Sequence, residues 1–179
     1  VTSVRPATDV RTLDAEAYRA ALPELAELIV DAVKGGAGIT FLRSITSEKA
    51  AAWWLALEPD VASGRTTPFV AVDDDGRIVG STLLVRSAYE NSPHRAEIGK
   101  VIVLRSHRRR GLASALMTAA EDRARADGRW LLVLDTVEGS AAEGLYRSLG
   151  WHVTGVVPNF AMNPAGEPQP ATFFWKDLR

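Results

Sequence analysis

Apolar residues recur at spacings of three and four through Tyr18, Leu22, Leu25, Ile29 and Val33, the period of a helix with one buried stripe. Before it, TSVRP at 2–6 predicts a short first strand. GGAG at 35–38 stops the helix and makes a flexible connection. Thr46 or Ser47 caps a second helix, EKAAAWWLAL, which ends before Glu58-Pro59. Residues 60–67 read as loop. The period then changes. Residues 68–72 and 78–87 are β-rich runs on either side of DDDG and predict a hairpin. A turn over 88–93 leads to a third run at 95–104.

Helical spacing returns at 110–127, where Leu112, Ala115, Leu116, Ala119 and Arg123 share a face and Gly128 closes the helix. WLLVL at 130–134 is continuously apolar, as a strand covered on both faces would be. Ser140 and Glu143 form a capping-box pattern, and the helix it opens runs through Leu145, Tyr146 and Leu149 to Gly150. Residues 151–157 and 172–175 read as two last strands joined by PNFAMNPAGEPQP. The order β-α-α-β-β-β-α-β-α-β-β predicts an α/β fold: a mixed, mostly antiparallel sheet flanked by about four helices. No repeat or linker divides the chain, so one domain over 1–179 is expected.

Composition narrows the functions. At 46% hydrophobic and 24% charged residues over 179 positions, a globular chain with a continuous core is expected. Absence of cysteine removes disulfides, thiolate metal sites and a cysteine nucleophile. Three scattered histidines make no convincing metal cluster, so no metal is expected. No apolar run approaches the roughly 20 residues of a membrane span, and VTSVRPATDVR has no apolar signal region. A cytoplasmic protein without membrane association follows as the expectation. The net charge of -1 argues against general nucleic-acid affinity.

Against that balance, HRRRGLASAL at 107–116 concentrates positive charge where a strand gives way to a helix. Cations at a helix N-terminus are unfavourable by about 0.3–1 kcal/mol each unless an anion sits among them. The first turn of that helix has backbone N–H groups without internal partners, Gly111 allows close approach, and Ala113 keeps the next turn small. A phosphate seat is the chemistry that fits.

Arg108-x-x-Gly111-x-Ala113 resembles the Q/R-x-x-G-x-G/A signature of the GNAT superfamily of N-acetyltransferases, and the element order is similar from about residue 2 to 178. AEIGKVIVLRSHRRRGLASALM, LLVLDTVEGSAAEGLY and the closing P-x-G-x-x-x-P-A-T-F-F segment resemble the tabtoxin-resistance acetyltransferase branch, which acetylates the amine of a toxic amino acid. The resemblance implies acetyl-CoA as cosubstrate, with the pantetheine arm along the backbone of Val101, Ile102 and Val103. It puts the pyrophosphate on Arg108, Arg109, Arg110, Gly111, Leu112, Ala113 and Ser114, and gives the Val103 N–H to the carbonyl oxygen.

An amine of pKa near 10.4 is free base in about one molecule in 10³ at pH 7, which adds roughly 4–5 kcal/mol to its attack on a thioester. A base relieves part of this. Glu97 is one candidate: strand alternation places it on one face with Gly99, Val101 and Val103, and its spacing to Arg108 matches the base glutamate of GNAT histone acetyltransferases. Asp135, following WLLVL at the end of a strand, is the other; it shares the base role or binds the acceptor's ammonium. By the resemblance, Tyr146 approaches the sulfur and can protonate it. Phe41, Trp53, Trp54 and Glu138 are candidate acceptor walls; Trp53 and Trp54 cannot both face the core of one helix.

The expected function is direct acetyl transfer to a small polar amine, in the resistance or detoxification mode of that branch, by a monomer or homodimer. Protein N-terminal or lysine acetylation stays open within the fold. A nucleic-acid binder and an idle coenzyme A sensor are the rivals from other classes. The acidic stretch EDRARAD counts against the first, and the carboxylates with Tyr146 count against the second.

Overall fold

Two prolines set the first departures from the expected pattern. In the computed structural model, which describes residues 9–179, the first helical stretch is divided. It forms α1 (Ala15–Ala20) and α2 (Leu22–Lys34), with Pro23 in the first turn of α2, where a missing N–H costs no hydrogen bond. Pro59 does the same for α4 (Glu58–Ala62), so part of the expected loop is helical. Between them lies α3 (Ser47–Leu55), capped by the Thr46 hydroxyl, which accepts from the Lys49 N–H at 3.3 Å. The strand expected at 2–6 lies outside the described residues; the first described strand is β1 (Asp9–Thr12).

The remaining elements are β2 (Thr66–Val72), β3 (Ile78–Arg86), β4 (Arg95–Val103), α5 (Leu112–Ala126), β5 (Leu131–Val137), α6 (Ala141–Ser148), β6 (His152–Met162) and β7 (Pro168–Asp177). A 3₁₀ turn over Arg105–His107 separates β4 from α5. Two strands are much longer than the sequence suggests. The turn between β6 and β7 is compact, its Asn163 Oδ1 accepting from the N–H groups of Ala165 (2.9 Å) and Glu167 (3.0 Å). Most of the presumed linker PNFAMNPAGEPQP is therefore strand.

All seven strands form one sheet in the order β1-β2-β3-β4-β5-β7-β6, antiparallel throughout except for the β4–β5 pair. The expected mixed, mostly antiparallel sheet is what forms. Every residue of β2 and the first seven of β3 are buried, so helices cover both faces there. Trp54 and Tyr18 anchor the helical layer: the Tyr18 hydroxyl donates to the Trp54 carbonyl (2.7 Å), and the Trp54 indole N–H donates to the Leu25 carbonyl (2.9 Å). At the other end, buried Glu121 of α5 accepts from the Trp151 indole (3.0 Å) and the Lys176 ammonium (2.7 Å). Lys176 also donates to the Leu149 carbonyl at 2.8 Å, so one ion pair joins α5, β7 and the end of α6. β6 is the outer edge and almost wholly exposed, with Val156, Val157, Phe160 and Met162 among its uncovered side chains.

Candidate active site

The site begins where the sheet stops being continuous. β4 pairs with β5 only over Arg95–Glu97 and Leu131–Val133. Past that point β5 continues along β7 to Val137, while β4 continues along β3 to Val103. The two central strands fork. Glu97 and Val133 form the last pair and share a face, so Asp135, two residues further along β5, lies on that face as well. Asp135 is inside β5, not after it as the sequence suggested.

A β-bulge bends β4 at the fork. Ser81 pairs with Ile102 and Leu83 with Gly99, so Lys100 and Val101 together oppose Thr82. This overturns the simple alternation expected for the strand. Gly99 and Ile102 share a face with Glu97, and Val103 points to the other side. The bulge serves the backbone too. The Leu104 N–H donates to the Val79 carbonyl (2.9 Å), which makes Val103–Gly80 the alternate, non-hydrogen-bonded pair. The N–H of Val103 therefore faces the fork.

Beyond β4, the turn into α5 lines a cavity of about 260 Å³ with Val103, His107, Arg108, Arg109, residues 111–114 and Leu145. Gly111 caps α5 at φ 86°, in the left-handed region, and Arg109 is also there at φ 65°. Among the described residues, no backbone or side-chain group accepts from the amides of Arg109 through Ser114. The amides expected to hold a diphosphate are thus open. Arg110 is outside the lining, with its guanidinium turned back to the Ser106 carbonyl at 3.2 Å. Arg108 donates to the Val103 carbonyl at 3.3 Å, and Ile102 is buried, which leaves only its backbone for a ligand. The turn itself is fastened from α2: the Asp31 carboxylate accepts from the Arg105 N–H (2.9 Å) and Nε (2.8 Å).

At the fork, four polar groups converge without internal partners. Among the described residues, the carboxylates of Glu97 and Asp135, the Lys100 ammonium and the Tyr146 hydroxyl make no hydrogen bond or ion pair. Glu97 and Asp135 open to solvent at the cleft, yet the surrounding protein desolvates both and pushes their carboxyls above the usual range. The charge of Asp135 raises Glu97 further. Tyr146 is 5% exposed, against Phe174 and Trp151; burial, then the Asp135 charge, raises its phenol. Burial lowers the Lys100 ammonium, opposed by Asp135 and Glu97.

Lys100 was missed in the sequence. It sits in a run that reads as ordinary strand, and only the bulge, with its φ of 54°, turns it into the cleft. Its ammonium stands 4.9 Å from the ring centroid of Trp53, which packs edge-on against Phe41 at 5.8 Å. Trp53 and Phe41 thus border the same cleft as Lys100. Trp54 does not: it is fully buried, so its place as an acceptor wall is corrected to the core. Glu138 is exposed just past β5, where its N–H donates to the Pro170 carbonyl at 3.1 Å. The α2–α3 connection closes one side, its Arg43 N–H donating to Pro164 of the β6–β7 turn at 2.8 Å. Gly38 lies tight in this closure; a Cβ there would lie 2.0 Å from Gln169 Nε2 and 2.9 Å from Val137 Cγ2, and those side chains would have to move. Among the described residues, no group of three or more His, Cys, Asp or Glu side chains could hold a metal ion, and no helix is long and apolar enough to cross a membrane.

A forked sheet, a turn of open amides and unpaired acid–base groups between them make the layout of an acyl-transfer enzyme. The family profile described as the acetyltransferase (GNAT) family matches residues 36–151. The chain therefore belongs to the GNAT family, a family of acetyl-CoA-dependent acyltransferases. Solved structures share its fold. A ribosomal-protein-alanine N-acetyltransferase from Brucella melitensis superposes with a TM-score of 0.77 at 24% identity, over 94% of this chain and 99% of its own. A GNAT superfamily phosphinothricin acetyltransferase from Sinorhizobium meliloti, in complex with acetyl-CoA, gives 0.76 at 18% identity, over 96% and 88%. The chain is also similar to an N-terminal acetyltransferase complex ARD1 subunit homolog of Dictyostelium discoideum, at 47% identity over 55 residues. That match spans 31% of this chain and 26% of the relative.

Proposed function

We propose that this protein moves the acetyl group of acetyl-CoA directly to the amine of a small polar acceptor, an amino-acid-like toxin or antimetabolite being the class that fits. The observation that carries this reading is the set of unpaired polar groups at the fork. Tyr146 is buried and Lys100 half-buried without a hydrogen-bond partner among the described residues, beside two exposed carboxylates that the surrounding protein desolvates, and such a cluster is a site shaped for something else.

In this reading the diphosphate lies on the amides from Arg109 to Ser114, and the pantetheine arm runs into the fork along Val101 to Val103. Glu97 and Asp135 bind the acceptor's ammonium and take its proton, directly or through water. Their raised pKa brings proton affinity closer to neutrality, where a base works best. The neutral nitrogen attacks the thioester carbonyl. The oxygen gathers charge and is met by the Val103 N–H, which no sheet partner uses. As the C–S bond breaks, the nitrogen gives its second proton to the remaining carboxylate or to water, and the departing thiolate takes a proton from the Tyr146 hydroxyl, whose own proton is restored through solvent. With no cysteine in the chain, a cysteinyl acyl-enzyme is not part of the route.

The test is a screen of small amines for coenzyme A release, with mass spectrometry of the products, beside a thermal-shift series with acetyl-CoA, an adenine nucleotide and a short oligonucleotide at two salt concentrations. Stabilisation by acetyl-CoA and one acetylated small amine are expected. Stabilisation by the oligonucleotide alone would remove the proposal. Acetylation of a protein N-terminus is the second reading, favoured by the 55-residue likeness to the ARD1 homolog; release with peptides and with no small amine would select it.

A further inference from the structure

We propose that Lys100 recognises an oxyanion on the acceptor, so that the acceptor is a zwitterion whose ammonium is held by Glu97 and Asp135 while its carboxylate, or an equivalent oxyanion, meets Lys100. This rests on the small-amine reading above and adds a charge requirement to it.

Two features of Lys100 stand out: its backbone carries the cost of the bulge with a lysine where a glycine would be easier, and its ammonium has no hydrogen-bonding partner among the described residues. Its φ of 54° lies where side chains other than glycine are uncommon, although Gly99 stands next to it in the chain. Its side chain is half-buried, desolvation lowers the pKa of the ammonium, and the ammonium makes no hydrogen bond or ion pair among the described residues. An ammonium is a compact, strongly hydrated charge with three donors, and such groups are rarely desolvated unpaired. Lys176 shows what a structural lysine looks like in this protein: it donates to both Glu121 and the Leu149 carbonyl. Lys100 has the face of Trp53 and the nearby charges of Asp135 and Glu97, none of which takes up its donors.

The pairing of individual charges, rather than net charge, points the same way. Glu97 and Asp135 with Lys100 leave the cleft with one negative charge in excess when all are ionised, which a simple cation would neutralise. A simple cationic amine satisfies the carboxylates and leaves Lys100 as it was. A zwitterion serves both signs, and a carboxylate accepts from a desolvated ammonium through strong, charge-assisted bonds. An amine without an oxyanion nearby, such as a peptide N-terminus, lacks the second contact.

The experiment compares common amino acids with their α-carboxamides and decarboxylated amines as acceptors, in wild type, Lys100→Gln and Lys100→Arg. Coenzyme A release gives kcat and KM, and thermal unfolding confirms that each variant is folded. In wild type, the acids that react should exceed their carboxamides at least tenfold in kcat/KM. Lys100→Gln should cut the acids at least tenfold, chiefly through KM, and move the carboxamides less than threefold. Lys100→Arg should restore part of the preference. A structural role would lower acid and carboxamide together and leave their ratio unchanged. Equal wild-type rates, or a preference that survives Lys100→Gln, overturn this proposal while the small-amine function stands; the wild-type ratio decides alone if a variant does not fold. Release with peptides only, or with no small amine at all, overturns both.

Discussion

Asp31 is remote from the reacting atoms, yet it should control coenzyme affinity. Its carboxylate holds the 3₁₀ turn that leads into the open amides, through the Arg105 N–H and Nε. A hydrogen bond to a charged group contributes about 1.5–3 kcal/mol, and a half-exposed ion pair about 0–1 kcal/mol. Asp31→Ala should therefore cost about 2–3 kcal/mol. For a chain of this size that is a fall in Tm of about 4–12 °C. If the coenzyme must rebuild the loosened turn, part of the same free energy is withdrawn from its binding. The KM for acetyl-CoA should rise about tenfold, to a ceiling of about 100-fold at 1.4 kcal/mol per decade, with kcat within about twofold of wild type. Arg105→Ala, which spares the backbone bond, should cost less than about 1 kcal/mol.

The pH dependence follows from the carboxyl. Burial pushes Asp31 up, but the Arg105 bonds and nearby arginine charge outweigh it and hold the group below its usual range. A depressed carboxylate stabilises the fold above its unfolded pKa, about 3.9. That contribution is lost as pH falls through the folded value. The Tm gap between wild type and Asp31→Ala should therefore narrow in acid. A drop in kcat with KM unchanged, or an unmoved Tm, would refute the reasoning.

Three further outcomes are expected. Glu97→Gln and Asp135→Asn should slow turnover at constant coenzyme affinity, and the wild-type rate should climb with pH through a value above the ordinary carboxylate range; because a raised carboxyl disfavours the folded state once ionised, each substitution should also raise Tm at neutral pH, with the gain vanishing below the unfolded pKa. Tyr146→Phe should slow transfer with little effect on stability, since its hydroxyl has no partner to lose among the described residues; an unchanged rate would leave the ring as packing alone. Glu121→Gln or Lys176→Met should each destabilise by about 3–5 kcal/mol in denaturant unfolding, whereas Glu121→Leu combined with Lys176→Met should cost far less, because a buried ion pair is damaging mainly when one member is left behind.

What the sequence disclosed and what it hid divide along physical lines. Periodicity located β3, β4, α5 and α6 closely, because each has a regular stripe and a local stop such as Gly128 or the Ser140 cap. It joined α1 to α2, since Pro23 is equally at home in a loop and in a first helical turn. It cut β6 short because an exposed edge strand has no buried face to impose alternation, and β7 short because Pro168 and Pro170 read as turn residues. The turn of open amides was legible because Arg108-x-x-Gly111-x-Ala113 is local. The reversal of Val103 and the emergence of Lys100 were not, because a bulge is defined by the partner strand and leaves no mark in EIGKVIVL. Of the two tryptophans, helix geometry said one must leave the core; only the burial and partners of the Trp54 indole tell which stays.

The fork leaves residues 98–103 and 134–137 each with one unzipped rim in the middle of the sheet. If an extended donor arm enters there, it acts as a surrogate strand, and the sheet becomes whole only while loaded. Affinity for the donor and rigidity of the molecule's centre then become two readings of one equilibrium. Amide hydrogens along both rims should exchange freely in the empty protein and slow together once the gap is filled.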